Sequence, residues 1–316
     1  MFKRGYISQI AASLMLMGSA SLCLAQAPTE PSPDWEAWRV SMSLTPLPGS
    51  GCFKAAYPAT EWRAVACVTA PLRPFGQPPS DSRALTVGNG ADWSAKVSGL
   101  ISTSAGSFNK VTGVKRIRDP QAPIFSLQLN SNFFTTSVCN GAANPSQCLG
   151  WQQFVLSDPG YLFMQYWLIN YGNRCPSGWS TYQSDCYRNS NSTSVPRQTP
   201  KDLAGLILTG VASGGQDKAM LATKGGDLSA VGEDTVVNLE KGWNTSEFNV
   251  FGNGGGTSVK FNKGSALTVR ISVDDGSSSA PACVKDGFSG ETNNLTLGTC
   301  TASGGSSPAI VFEESN

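Results

Sequence analysis

The 316-residue chain contains no histidine. Without imidazole there is no Ser-His-Asp or Cys-His relay, no His-rich zinc site and no side chain that titrates near neutrality unperturbed. Any acid-base work falls to carboxylates, amides, Tyr or Lys, and carboxylates at their ordinary pKa suit acidic surroundings. Charge is also scarce. Charged residues make up 14% of the chain, and 23 Lys+Arg against 22 Asp+Glu leave a net charge of +1. No basic patch or acidic tail stands out, which argues against nucleic acid as a partner. No CxxC spacing occurs, so the cysteines do not read as metal ligands, and no metal or other cofactor is expected. The plain alternative to a histidine-free enzyme is a low-charge binding module that has no use for the residue.

What is present points to export. Met1, Phe2, Lys3 and Arg4 form a basic start, Ile10 to Leu24 is mostly small and apolar, and small-x-small sites close the segment near Ala27. This pattern predicts a signal peptide over residues 1–27 and a secreted protein, extracellular or periplasmic. The apolar stretch is short for a membrane span and no later one is longer, so no membrane association is expected once the signal is removed. Of nine cysteines, Cys23 lies in the signal and eight remain. These fall into four close pairs, Cys52/Cys67, Cys139/Cys148, Cys175/Cys186 and Cys283/Cys300, which read as disulfide clips across hairpins or loops. Other connectivities are open to the same eight residues.

Residues 28–90 are rich in Pro, Ser and Thr, with a loosely ordered lead-in to about residue 50. They read as an N-terminal extension or propeptide that carries one cysteine pair. From about Asp92 the pattern changes to short runs of alternating apolar and polar residues between turn signals. Trp151 to Leu156, Leu162 to Ile169 and Ala266 to Val273 are examples. Asp202 to Leu208 is at most a short helix. Gly252 to Gly256 lacks the following Lys-Ser/Thr and the helix of a phosphate loop and reads as a hairpin turn. Residues 91–316 are therefore expected to form an all-β, two-sheet antiparallel β-sandwich of jelly-roll or concanavalin-like type, clipped by disulfides and monomeric.

Three stretches in order resemble the secreted glutamic peptidases, the eqolisins and the related neprosin group. The first is Asp92-Trp93-Ser94 followed by Phe108-Asn-Lys-Val-Thr-Gly113. The second is Gly150-Trp-Gln-Gln-Phe-Val155 followed by the aromatic run Phe163 to Trp167. The third is Trp243-Asn-Thr-Ser-Glu247-Phe248 to Gly252, followed by Thr257 to Phe261. Together they span about residues 92–270. The Trp-Val-Gly-Ile-Asp-like strand of that family is here Phe125-Ser-Leu-Gln128-Leu-Asn130, without its Trp and Asp.

The resemblance implies hydrolysis of a polypeptide substrate. Glu247 would act as general base toward a water, and an amide partner would bind that water and the developing oxyanion. The partner is Gln152 or Gln153. Neighbouring strand residues face opposite ways, so only one can share a cleft with Glu247. Aligning on Val155 favours Gln152, and burying Phe154 and Leu156 favours Gln153. Gln128 and Gln165 are weaker candidates of the same type. Trp151, Tyr166, Trp167 and Trp243 are candidate groove-lining aromatics, with core packing as their ordinary role. Glu291 reads as a turn residue, or else as a second functional carboxylate. Two other functions stay open. A non-catalytic carbohydrate or cell-wall binder would need exposed coplanar aromatics, and a glycosidase would need a second acid beside Glu247.

Overall fold

The computed structural model describes residues 1, 33–76, 86–88, 90–119 and 125–316. The signal peptide read at residues 1–27 lies outside the described residues except for Met1. Two large sheets pack face to face. The first has ten strands, and its main path runs Ser180–Tyr182, Asp185–Asn189, Tyr161–Ile169, Leu149–Ser157, Ser126–Ser131, Thr245–Phe251, Trp93–Lys96, Ala282–Lys285. The second has twelve, with Gly226–Glu233, Gln216–Thr223, Ile207–Ser213, Thr103–Thr112, Ala266–Asp274, Ala309–Ser315 and Thr292–Ser303 in sequence across its middle. Among the described residues pairing is antiparallel except where Ser258–Phe261 runs parallel to Thr292–Ser303. The protein is thus an all-β two-sheet sandwich. Its four disulfides join Cys52 to Cys67, Cys139 to Cys148, Cys175 to Cys186 and Cys283 to Cys300. Four such bonds fit an oxidising compartment. Among the described residues no helix is long and apolar enough to cross a membrane.

The sheets differ in what they bury. Ala266–Asp274 alternates strictly, with Leu267, Val269, Ile271 and Val273 facing the core and their neighbours half-exposed. That is a sheet with one dry face and one wet face. In the ten-stranded sheet, Leu149–Ser157, Tyr161–Ile169 and Thr245–Phe251 are buried at nearly every residue. Their inner side chains, such as Phe154, Tyr166 and Phe248, join the core between the sheets. There Phe248 lies on Phe108 at 5.3 Å between ring centroids, and Phe154 stacks against Trp243 at 5.6 Å. The outer side chains are buried too, beneath segments that cross that face.

Two expectations are corrected. The lead-in is not loose: Pro33–Leu44 is a twelve-residue helix. Pro33 suits its first turn, and Trp38 and Met42, one turn apart, pack on Phe53, Trp62, Met220 and Val231. The propensity of the segment is modest, and tertiary burial supplies the stability it lacks. Residues 252–256 are not a hairpin turn. The strand before them pairs within the ten-stranded sheet and the strand after them within the twelve-stranded one, so they carry the chain between layers. Gly254, Gly255 and Gly256 all have φ between +68° and +84°, which glycine adopts without steric cost.

The extension is built onto both sheets. Gly51–Ala55 pairs with Gly226–Glu233, and Val68–Thr69 pairs with Asn191–Ser194.

The layers come close at Gly106, where an added Cβ would lie 2.0 Å from Cγ of Phe248. Gly106→Ala should therefore force that ring or the strand to move, at a cost of about 1–3 kcal/mol. Urea unfolding should show the loss, and unchanged stability would mean that the layers are looser than this packing implies.

Candidate functional site

Strand register places one row of polar residues straight across six strands. Asn189 is paired with Gln165, Gln165 with Gln153, Gln153 with Asn130, Asn130 with Glu247 and Glu247 with Ser94. Directly paired residues project to the same face, so all six side chains stand on the outer face of the ten-stranded sheet. On one side the row is flanked by Tyr187, Trp167 and Trp151, themselves mutually paired. Two residues the other way stand Phe163, Val155, Gln128 and Asn249.

Every member of the row from Gln165 to Ser94 is fully buried. Burial without partners would be costly, and the amides satisfy one another in a directed chain. Trp167 Nε1 donates to Gln153 Oε1 (2.9 Å), Gln153 Nε2 donates to Asn130 Oδ1 (3.1 Å), and Asn130 Nδ2 donates to Glu247 Oε2 (2.8 Å). Each amide thus points its donor end toward the carboxylate. Gln153 Nε2 also donates to Gln128 Oε1 at 3.1 Å.

The loop 286–291 closes the acid end. The backbone N–H groups of Phe288 and Ser289 donate to Glu247 Oε2 at 2.9 and 3.1 Å. Oε1 has no hydrogen-bond partner and faces Gly287, where a Cβ would lie 2.9 Å away. Burial raises the Glu247 pKa to about 7 against the opposing pull of these three donors. Glu291 is fully buried as well. Its Oε1 accepts from Gly256 N at 3.0 Å, and its Oε2 lies 2.8 Å from Ser289 Oγ. Burial likewise raises its pKa to about 7. Ser289 Oγ also lies 2.9 Å from Gln128 Oε1. A hydroxyl has one proton to donate; Ser289 gives it to Glu291 when that acid is ionised, leaving Gln128 Oε1 to Gln153 Nε2, and can give it to Gln128 when Glu291 is protonated.

Further along the same face, Asn249 Nδ2 donates to both Asp92 Oδ2 and Glu314 Oε2 at 3.0 Å. Burial raises Glu314 to about 8. Asp92 is pushed well above the usual carboxylate range by burial, then by Glu247 and Glu314. Four buried acids therefore gather about the row, Glu314 reaching Asn249 from the twelve-stranded sheet, and they are bridged by Ser289 and Asn249.

The structure separates the sequence candidates. Gln153 shares a face with Glu247. Gln152 points the other way, into the interior, where its polar neighbour is the buried Asp217. Trp151 and Trp167 lie on the face of the polar row, both fully buried under the cover. Tyr166 and Trp243 belong to the core between the sheets and not to the outer face. No Trp appears among the exposed large hydrophobic residues described. Gln128 and Gln165 both stand on the outer face, and Glu291 sits in the network and not on an exposed turn. Asn130, Asn249 and Ser289 were not singled out from the sequence. Asn130 and Asn249 were findable in principle, because each lies two residues along a strand from a candidate already named. Ser289 acts from a loop that no periodicity marks. No group of three or more acids, cysteines or histidines that could hold a metal occurs among the described residues. The chain matches no protein-family model, and no match was found among curated proteins.

The raised carboxyls fix the sign of a pH effect. A pKa of about 8 for folded Glu314 against about 4.3 unfolded means that folding favours the protonated acid. That contribution is complete below the unfolded value and is lost as pH rises through the folded one. Glu314→Gln should therefore be more stable than wild type at pH 9 in urea unfolding, with the difference vanishing near pH 4. A gap independent of pH would show that Glu314 does not titrate in this way.

Proposed function

We propose that the protein is a secreted endopeptidase of the glutamic-peptidase type, with Glu247 as base and Gln153 as amide partner. The observation that carries this reading is the row itself: a buried carboxyl with a pKa near 7, joined through one amide to the glutamine on the next strand but one. Its second support is the resemblance of the three stretches around Asp92, Trp151 and Glu247.

In the reaction, Glu247 Oε1 or Oε2 takes a proton from a water whose oxygen attacks the scissile carbonyl carbon. The carbonyl π electrons move to oxygen, and Gln153 Nε2–H, released from Gln128 or Asn130, donates to the oxyanion. Collapse expels the amine, which receives the proton held on Glu247. The cover over the face has to move for substrate and water to enter. Hydration would then bring Glu247 down toward its ordinary range, which puts the optimum on the acid side.

A two-carboxylate glycosidase has one observation in its favour, the presence of Glu291 and Glu247 on either side of Ser289. Its chemistry needs two acids about 5–10 Å apart flanking an open sugar site, whereas here the face is crossed by polypeptide.

The two are separated by assaying casein and a panel of polysaccharides over pH 2–8. Glu247→Gln should lower pepstatin-insensitive casein cleavage by about 10²–10⁴, Gln153→Ala by about 10², and folded Gln152→Ala should stay near wild type. Polysaccharide hydrolysis abolished by Glu291→Gln, without casein cleavage, would overturn the peptidase reading.

A further inference from the structure

What crosses the outer face is a stretch of this chain that starts with a tight turn, Arg73 N donating to the Pro71 carbonyl at 2.8 Å, and then runs along the sheet. Residues 71–76, Pro-Leu-Arg-Pro-Phe-Gly, lie over the end of the polar row farthest from Glu247. Gln165 grips their backbone at two points. Its Nε2 donates to the Arg73 carbonyl at 2.8 Å, and its Oε1 accepts from Phe75 N at 2.7 Å. The residue between is Pro74, which has no N–H to satisfy. The Pro74 carbonyl accepts from Gly255 N at 2.7 Å and the Gly76 carbonyl from Gly290 N at 2.8 Å. Asn189 Nδ2 donates to the Pro71 carbonyl at 2.9 Å. These are contacts to main chain, which any peptide in this register would offer.

Side-chain selection is strongest at two positions. Phe75 is wholly buried against Ala70, Val155 and Phe163, with its ring 6.3 Å from that of Phe163. At Gly76 a Cβ would lie 2.8 Å from Cε1 of Tyr182, so the position after the aromatic residue is closed to larger side chains. Leu72 is exposed, and Arg73, exposed for most of its length, reaches the Asn253 carbonyl with Nη1 at 3.4 Å. The segment leads toward the acids: Gly290, which holds Gly76, adjoins Ser289 and Glu291.

We propose that Gln165, Val155 and Phe163 form a binding subsite for an aromatic side chain of an extended polypeptide, with Gly preferred next, and that residues 71–76 are its resident occupant. The inference rests on the peptidase reading only in taking a polypeptide as the ligand. The segment is tied upstream by the Val68–Thr69 strand and the Cys52–Cys67 disulfide. Its effective concentration therefore excludes competing peptides until Phe75 lets go.

The test uses the full chain carrying Glu247→Gln, so that no turnover intervenes, and a fluorescent acetyl-Leu-Arg-Pro-Phe-Gly-amide peptide read by anisotropy. With Phe75 intact the peptide should not bind. With Phe75→Ala added, or Phe75→Asp should the first fail to fold by thermal unfolding, backbone amides of residues 71–76 should exchange faster and the peptide should bind. Replacing its Phe by Ala, or adding Gln165→Ala to the protein, should weaken binding by about tenfold or more. Equal binding of the Phe and Ala peptides, no binding to a variant whose 71–76 amides exchange freely, or amides that stay protected without Phe75 would each overturn the proposal. Because binding is read without catalysis, a protein that cleaves casein yet ignores the aromatic residue refutes the subsite alone. One that binds the peptide yet cleaves nothing refutes the peptidase reading alone.

Discussion

A sheet buried on both faces has to meet two chemistries at once. The inner face of the ten-stranded sheet meets another sheet and is apolar. The outer face meets crossing segments, and its central row is made of amides and one carboxylate. Water cannot satisfy these groups, so they must satisfy one another. Register does this: Gln165, Gln153, Asn130 and Glu247 are directly opposed on successive strands, so Gln153 reaches Asn130 and Asn130 reaches Glu247 directly, while Trp167 Nε1 joins Gln165 to Gln153. A slip of one residue on any of these strands would send its polar member into the core and bring a Phe, Leu or Met out. The polar row and the hydrophobic core therefore fix the same register from opposite sides.

The covering segments complete this arrangement and draw their own order from it. The loop 286–291 contributes two N–H groups to Glu247 and a hydroxyl between Gln128 and Glu291. The glycine connection after Phe251 contributes Gly255 N to Pro74 and Gly256 N to Glu291. Gly255 and Gly256 both stand at positive φ, and that backbone conformation, open to glycine without steric cost, aims their N–H groups at these acceptors. The same burial that makes the hydrogen bonds obligatory also raises the pKa of every acid on the face, so the covered form is most stable when those acids are protonated.

Much of the sandwich was legible because alternation on a half-wet sheet is a local pattern. Ala266 to Val273 shows it plainly, and the four cysteine pairs are close enough in sequence to be read together. The doubly buried strands were legible as strands but ambiguous in facing. Gln152 and Gln153 are adjacent and equally polar, and only the pairing of Gln153 with Asn130, 23 residues away, separates them. The helix Pro33–Leu44 was hidden because its two core contacts are aromatic and sulfur side chains in a polar, Pro-flanked segment. The role of Glu291 was hidden for a different reason: a carboxylate after Ser-Gly looks solvated until the partners that bury it, Gln128 and Gly256, come from distant stretches. Phe75 carries no sequence signal beyond being aromatic among prolines.

The chemistry of this face depends on Glu247 being a buried acid held near neutrality among amides. Carboxyl carbon-13 NMR of glutamate-labelled protein, titrated beside Glu247→Gln, observes that state directly. A glutamate resonance with a midpoint near 7, present in the wild type and missing from the variant, is the result expected. Loss in the variant of a resonance that titrates in the ordinary range near 4.5 would contradict the account, because Glu247 would then be hydrated and the row would not be the closed network described.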